Sequence, residues 1–142
     1  MIEVPEELSS YFKEADFSDY PKVSIPQSFV DERGEIINIA DGTLGDVAII
    51  NSNSQSVRAN HIHETDWHLS YCLNGSLNYS FLDQDGQVKT TQINAGELFF
   101  TPNQIAHRMD FLENTVLVVI SRNSRKRDHY EEDTKKFNLP IE

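Results

Sequence analysis

Short β-branched and aromatic runs, separated by turn chemistry, recur about every ten residues through most of this chain, a spacing that leaves room for little except short strands. Arg33-Gly34, Asp41-Gly42, Asn74-Gly75, Asp85-Gly86, Ala95-Gly96 and Glu113-Asn114 supply the punctuation. Asn-Gly and Asp-Gly are strong hairpin signals because both central residues of the tight turn need positive φ. Between them lie β-branched and aromatic runs: EIINIA (35–40), DVAIIN (46–51), SVRANHIH (56–63), HLSYCLN (68–74), SLNYSFLD (76–83), QVKTTQI (87–93), ELFFT (97–101), HRMDF (107–111) and TVLVVIS (115–121). Many short, evenly spaced strands in one domain predict an antiparallel sandwich or barrel. The expected fold class is all-β.

The 142 residues fit a single domain. Residues 1–28 read as an arm, in which Leu8, Tyr11, Phe12 and Ala15 fall on one face of a short helix over 6–16 before Pro21 and Pro26 interrupt regular structure. Residues 29–121 form the barrel and 122–142 a tail, helical over about 128–137. Net charge is −11, and the first 121 residues carry 6 basic against 18 acidic side chains. Binding to a phosphate backbone or an anionic membrane needs a basic face, so neither nucleic acid nor membrane is an expected partner. No apolar run reaches the roughly 18 residues of a membrane span, and the acidic opening MIEVPEELSS is unlike a signal segment. A single cysteine, Cys72, has no internal partner for a disulfide, which suits a cytoplasmic location.

Four of the five histidines fall where strands begin or alternate. His61 and His63, two apart on one strand, leave the same face. His68 opens the next strand and His107 a later one, so a closed barrel can bring all four together. Imidazole is the commonest protein metal ligand and also a proton acceptor near neutral pH. On the same parity His68, Ser70 and Cys72 point inward, Cys72 as an inert buried thiol. Trp67 and Tyr71 point outward, to pack under the arm or in an interface. The basic run Arg122, Arg125, Lys126, Arg127 reads as a solvated strand end, and Asp83–Gly86 as a hairpin turn.

The pattern resembles the cupin superfamily. HIHETDWHLSYCLNG gives His61, His63, then His68 after four residues and Gly75 after six more; GELFFTPNQIAH gives Gly96, Pro102 and His107. Three positions depart from the cupin pattern: His68 replaces the usual Glu, Gln104 a glycine after the proline, and the leading glycine is missing near Gln55. The resemblance implies a double-stranded β-helix (jelly-roll barrel) with a short N-terminal arm and a short C-terminal helix. It also implies one divalent transition metal (Fe, Mn, Ni, Cu or Zn) on His61, His63, His68 and His107. Four neutral ligands would leave the metal's charge uncompensated, favouring a small anionic substrate and Lewis-acid isomerisation or O₂-dependent oxidation. Cupins are commonly homodimers, and a homodimer is expected here.

A second resemblance is to the dTDP-sugar 3,5-epimerases and 3,4-ketoisomerases of the same superfamily. It rests on the Asp31-Glu32-Arg33-Gly34 turn, on Arg58-Ala59-Asn60-His61 where those enzymes carry R-G-x-H, on Pro102 to Ala106-His107, and on the tail LVVISRNSRKRDHYEEDT. It implies a metal-free enzyme with His61 or His63 as general base and Arg58 on the nucleotide phosphates. Strict alternation points Arg58 away from His61 unless a bulge turns it. A binding module without turnover is the remaining alternative.

Overall fold

The computed structural model describes residues 2–13, 15–25 and 28–141; Pro26 lies outside them. The described residues form twelve strands: β1 (Lys22–Val23), β2 (Phe29–Asp31), β3 (Gly34–Ile36), β4 (Asp46–Ser52), β5 (Val57–His63), β6 (His68–Asn74), β7 (Ser76–Leu82), β8 (Val88–Asn94), β9 (Leu98–Thr101), β10 (His107–Phe111), β11 (Thr115–Ser121) and β12 (Thr134–Lys136). Helix α1 (Ser9–Phe12) follows one turn of 3₁₀ helix in the arm, and α2 (Arg127–Asp133) lies in the tail. Two five-stranded antiparallel sheets, β1-β9-β6-β11-β4 and β12-β5-β10-β7-β8, face each other, and β2-β3 form a separate hairpin. The antiparallel all-β fold is the one expected from the strand spacing, and its jelly-roll form is the one the cupin resemblance implied.

Alternation along the strands divides the interior. Cys72, Phe99, Leu117 and Val119 from one sheet meet Leu77, Tyr79, Ile93 and Phe111 from the other in a dry core. Along β10 the inward residues run from His107 through Met109 to Phe111, so the barrel is polar at one end and apolar at the other. A second apolar cluster lies outside the first sheet, where Leu8, Tyr11, Phe12 and Val23 of the arm cover Trp67, Leu69, Phe100 and Ile120. Trp67 and Tyr71 thus pack under the arm. Gly75, at φ +96°, joins β6 to β7 where a Cβ would collide with Thr115 and the Asn114 carbonyl.

Four short strands differ from the expectation. β1 and β2 have two or three residues each, too few for a period-2 signal. The expected tail helix stops at Asp133, and residues 134–136 become β12 because they pair with the open edge of β5, Thr134 opposite His63 and Lys136 opposite His61. The expected strand over 35–40 ends at Ile36. Arm and tail therefore each complete a sheet rather than merely flank the barrel.

The positions that depart from the glycines of the two resemblances keep a glycine-like backbone. Gln55, Ala59 and Gln104 have φ of 68°, 65° and 62°. A Cβ in the left-handed region costs roughly 1–2 kcal/mol, partly offset by the freedom glycine loses on folding. Ala59→Gly is expected to raise unfolding stability by about 1 kcal/mol. Denaturant midpoints at constant m-value measure this, and a fall in stability would contradict a strained Ala59.

Candidate active site

β5 organises the site because it is not a regular strand. Ala59 and Asn60 both adopt left-handed conformations, and the register against β10 slips between them: His61 lies opposite His107, Ala59 opposite Arg108 and Arg58 opposite Met109. Residues directly opposite share a face, and so do residues two apart on β10. His61 and Arg58, three apart in sequence, therefore face the same side. The bulge supplies the turn that strict alternation forbade. The tail fixes it, for Phe137 N donates to the Asn60 carbonyl (3.0 Å), Asn60 Nδ2 donates to Asn138 Oδ1 (3.2 Å) and Leu139 N donates to Asn60 Oδ1 (3.0 Å). Arg58 is oriented from β4: Nε donates to Ser52 Oγ (2.7 Å) and a terminal nitrogen to the Asn51 carbonyl (3.0 Å).

The four histidines gather as expected. Ring centroids lie 4.5 Å apart for His61–His63, 4.7 Å for His61–His107, 4.7 Å for His63–His68 and 5.4 Å for His63–His107. Each partner holds a ring in place. His107 Nδ1 lies 3.1 Å from the Ile105 carbonyl, His63 Nδ1 3.3 Å from Thr134 Oγ1, and His68 Nε2 3.0 Å from Asp66 Oδ2. Asp66 also accepts from Asn123 N (2.9 Å), and Asp133 accepts from Thr65 N and Asp66 N, tying α2 to the β5–β6 loop. Burial dominates the electrostatics. It pushes His61 down to about 4, with His68 and Arg125 adding to the effect, and it depresses His63 and His107 as well. Burial works against the Asp66 carboxylate, but its bond to His68 outweighs this and holds the group below its ordinary value.

Two spaces meet at His61. A cavity of about 120 Å³ inside the barrel is lined by Arg58, His61, His68, His107, Arg125 and Tyr130 among others. A groove of about 550 Å³ outside it shares Arg58, Ala59, His61 and Tyr130 and adds Asn60 and Lys136. Ligand sites span about 300–1,000 Å³, so the inner cavity alone is small and the two together are ample. His63, fully buried, stands behind His61.

Tyr130 and Arg125 belong to this site; Tyr130 was not singled out from sequence, and Arg125 was read there as part of a solvated strand end. Tyr130, on α2, stands over the cavity with its ring 6.4 Å from that of His61 and 5.8 Å from that of His63. The Arg125 guanidinium lies 5.6 Å from the Tyr130 ring centroid and 3.4 Å from Asp46 Oδ2. Burial raises the Tyr130 hydroxyl above its ordinary value, with Arg125 opposing. The basic run is therefore solvated only in part: Arg127 is exposed, whereas Arg125 turns toward the cavity. The tail's likeness to ketoisomerases was the one available signal for Tyr130.

The structure is similar to solved sugar-nucleotide enzymes. A 3,4-ketoisomerase from Thermoanaerobacterium thermosaccharolyticum, in complex with TDP, matches with 23% identity over 76% of this chain and 80% of its own, at a TM-score of 0.61. The dTDP-4-dehydrorhamnose 3,5-epimerase from Sulfolobus tokodaii matches with 14% identity over 91% and 86%, at 0.67. A 3'-monoepimerase from Streptomyces bikiniensis, in complex with dTDP-quinovose, matches with 15% identity over 70% and 62%, at 0.61. No protein-family model matches the chain, and no curated protein does. The fold is the cupin jelly roll of these epimerases and ketoisomerases.

These neighbours correct the expected cofactor. They are enzymes of sugar nucleotides, two of them described in complex with TDP or a dTDP-sugar, so a resident Fe, Mn, Ni, Cu or Zn ion is not carried over to this chain. Three of the four histidines nonetheless stand close enough together to hold an ion. The four histidines do not form one ligand set among the described residues: donor atoms of His61, His63 and His107 lie within 4.8 Å of one another, as do those of His63, Asp66 and His68, but His68 is drawn aside by Asp66. No helix among the described residues is long and apolar enough to cross a membrane.

The depressed histidines predict acid lability. Above the ordinary value of 6.5 they are neutral in both folded and unfolded chains; below it the unfolded chain takes up protons that the folded chain refuses. Stability is therefore lost as pH falls from about 6.5 toward 4, His61 alone accounting for about 2 kcal/mol by pH 5. Thermal unfolding at pH 7 and pH 5 measures the loss, and His61→Asn is expected to reduce it. A Tm independent of pH over this range would contradict it.

Proposed function

We propose that this chain is a metal-free isomerase or epimerase acting on a nucleotide-linked keto sugar by proton transfer. The observation that supports it most is the β5 bulge, which sets Arg58 beside His61 where the inner cavity opens into the outer groove. The sugar enters the cavity and the nucleotide lies in the groove. In a chain of net charge −11, Arg58, Arg125 and Lys136 converge on this mouth, a local field suited to a diphosphate. The similar enzymes, one of them holding TDP-4-keto-6-deoxyglucose, act on that substrate class.

His61 is the general base because it lines both spaces, whereas His63 is buried behind it. Its depressed pKa keeps it neutral at pH 7, with a lone pair ready to accept a proton. It removes the proton from the carbon next to the keto group; the C–H pair becomes a C=C bond and the carbonyl oxygen becomes an enolate. Tyr130 remains protonated at neutral pH and supplies the hydroxyl that stabilises the oxyanion. When the hydroxyl proton of the deprotonated carbon passes to the enolate oxygen, that carbon becomes the new carbonyl, and return of the abstracted proton to the former carbonyl carbon completes an isomerised ketose; delivery of a proton from the opposite face to the original carbon gives an epimer instead.

The test separates binding from chemistry. His61→Asn is expected to lose at least a hundredfold in turnover of TDP-4-keto-6-deoxyglucose while binding TDP with unchanged affinity. Arg58→Ala is expected to weaken TDP binding on the order of tenfold, about 1.4 kcal/mol. Calorimetry and product NMR provide the two readouts. Full turnover by the Asn variant would remove His61 from the role of base.

A further inference from the structure

Of the three cations at the mouth, Arg125 lines only the inner cavity, Lys136 only the outer groove, and Arg58 both. Arg125 therefore stands on the sugar's side of His61. Its place follows from the first sheet. His68 faces the cavity, Ser121 lies opposite His68, and Asp46 lies opposite Ser121. Residues directly opposite share a face, so the Asp46 carboxylate points inward and draws Arg125 over the cavity, with Nε 3.4 Å from Oδ2.

That pair is incomplete. Arg125 Nε and Asp46 Oδ2 are both shut off from solvent, yet neither makes a hydrogen bond among the described residues. Asp46 approaches the guanidinium at Nε, one of five N–H donors in a planar fork, which leaves the terminal nitrogens to a second acceptor. The cavity wall supplies no anionic one. It holds two guanidiniums, three imidazoles and the hydroxyls of Ser70 and Thr101, with no carboxylate among the described residues. In a chain of net charge −11, a space of about 120 Å³ walled in this way selects for negative charge.

We infer that the inner cavity holds a carboxylate carried by the sugar, bound through the terminal nitrogens of Arg125, so that the preferred ligand is a nucleotide-linked keto uronic acid rather than a neutral keto sugar. This rests on the proposed binding of a nucleotide sugar with its ring in the cavity. A guanidinium and a carboxylate meet through two parallel N–H···O bonds, a match that a methyl or hydroxymethyl group on the same carbon cannot make. Arg58 is already committed to Ser52 Oγ and the Asn51 carbonyl, which assigns the carboxylate to Arg125.

Calorimetric titration of the full chain with TDP-glucose, TDP-glucuronate and free glucuronate tests this as binding, without turnover. TDP-glucuronate is expected to bind roughly tenfold more tightly than TDP-glucose. Arg125→Gln is expected to bring the ratio of the two affinities close to one, and Arg125→Lys, which keeps the charge and loses the fork, to retain part of it. Asp46→Asn, which removes the competing carboxylate, is expected to raise the ratio. Equal or weaker binding of TDP-glucuronate, or a ratio that survives in folded Arg125→Gln, would overturn the inference and leave the proposed reaction standing. Failure of the nucleotide reading has a different signature: free glucuronate bound as tightly as TDP-glucuronate would keep the carboxylate subsite and remove the nucleotide. No binding of any of the three would overturn both.

Discussion

Two left-handed residues in one strand set the geometry of this protein. With Ala59 and Asn60 in the β conformation, Arg58 would point away from the barrel interior and the cation at the mouth would be lost. The bulge is held in place by the chain's own C-terminus. Phe137, Asn138 and Leu139 bond to Asn60, and β12 runs along β5 for three residue pairs. The same tail carries Tyr130 over the cavity. One local distortion therefore positions the arginine, and the segment that secures it positions the phenol. Strain in β5 and order in the tail are two sides of one arrangement.

Burial gives the site its chemical character. Imidazoles packed within about 5 Å of each other in a largely dry barrel cannot all hold protons, and three of them are driven well below their ordinary pKa. The result is a set of neutral nitrogens facing a mouth lined with arginine. That combination suits a ligand with an anionic handle outside and a carbon acid inside. In the proposed reaction this charge separation matches a sugar nucleotide, with the diphosphate in the groove and the sugar ring in the cavity. The Asp66–His68 pair stands apart, anchored to Asn123 and, through the loop, to Asp133.

The barrel was legible in the sequence because its signals are local. Hairpin dipeptides and period-2 runs placed β6, β10 and β11 to the residue, and parity alone placed Trp67 and Tyr71 outside and Cys72 inside. The histidine cluster was legible for the same reason. What the sequence concealed depends on partners distant along the chain. β12 exists only because β5 offers an edge about seventy residues earlier, so helical periodicity over-extended α2. The bulge was hidden because Ala59 and Asn60 hold backbone conformations in which glycine would have been the visible sign. The metal reading followed from the cupin resemblance and its histidine spacing. It did not foresee that Asp66, two residues away, would take one of them.

Proton transfer at a carbon next to a carbonyl leaves a direct signature. TDP-4-keto-6-deoxyglucose incubated in D₂O with the chelator-treated protein and followed by proton NMR should lose the signal of a hydrogen beside the keto group. The loss should follow the time course of isomerised or epimerised product and depend on His61. Retention of every such hydrogen by folded, TDP-binding protein would contradict the account.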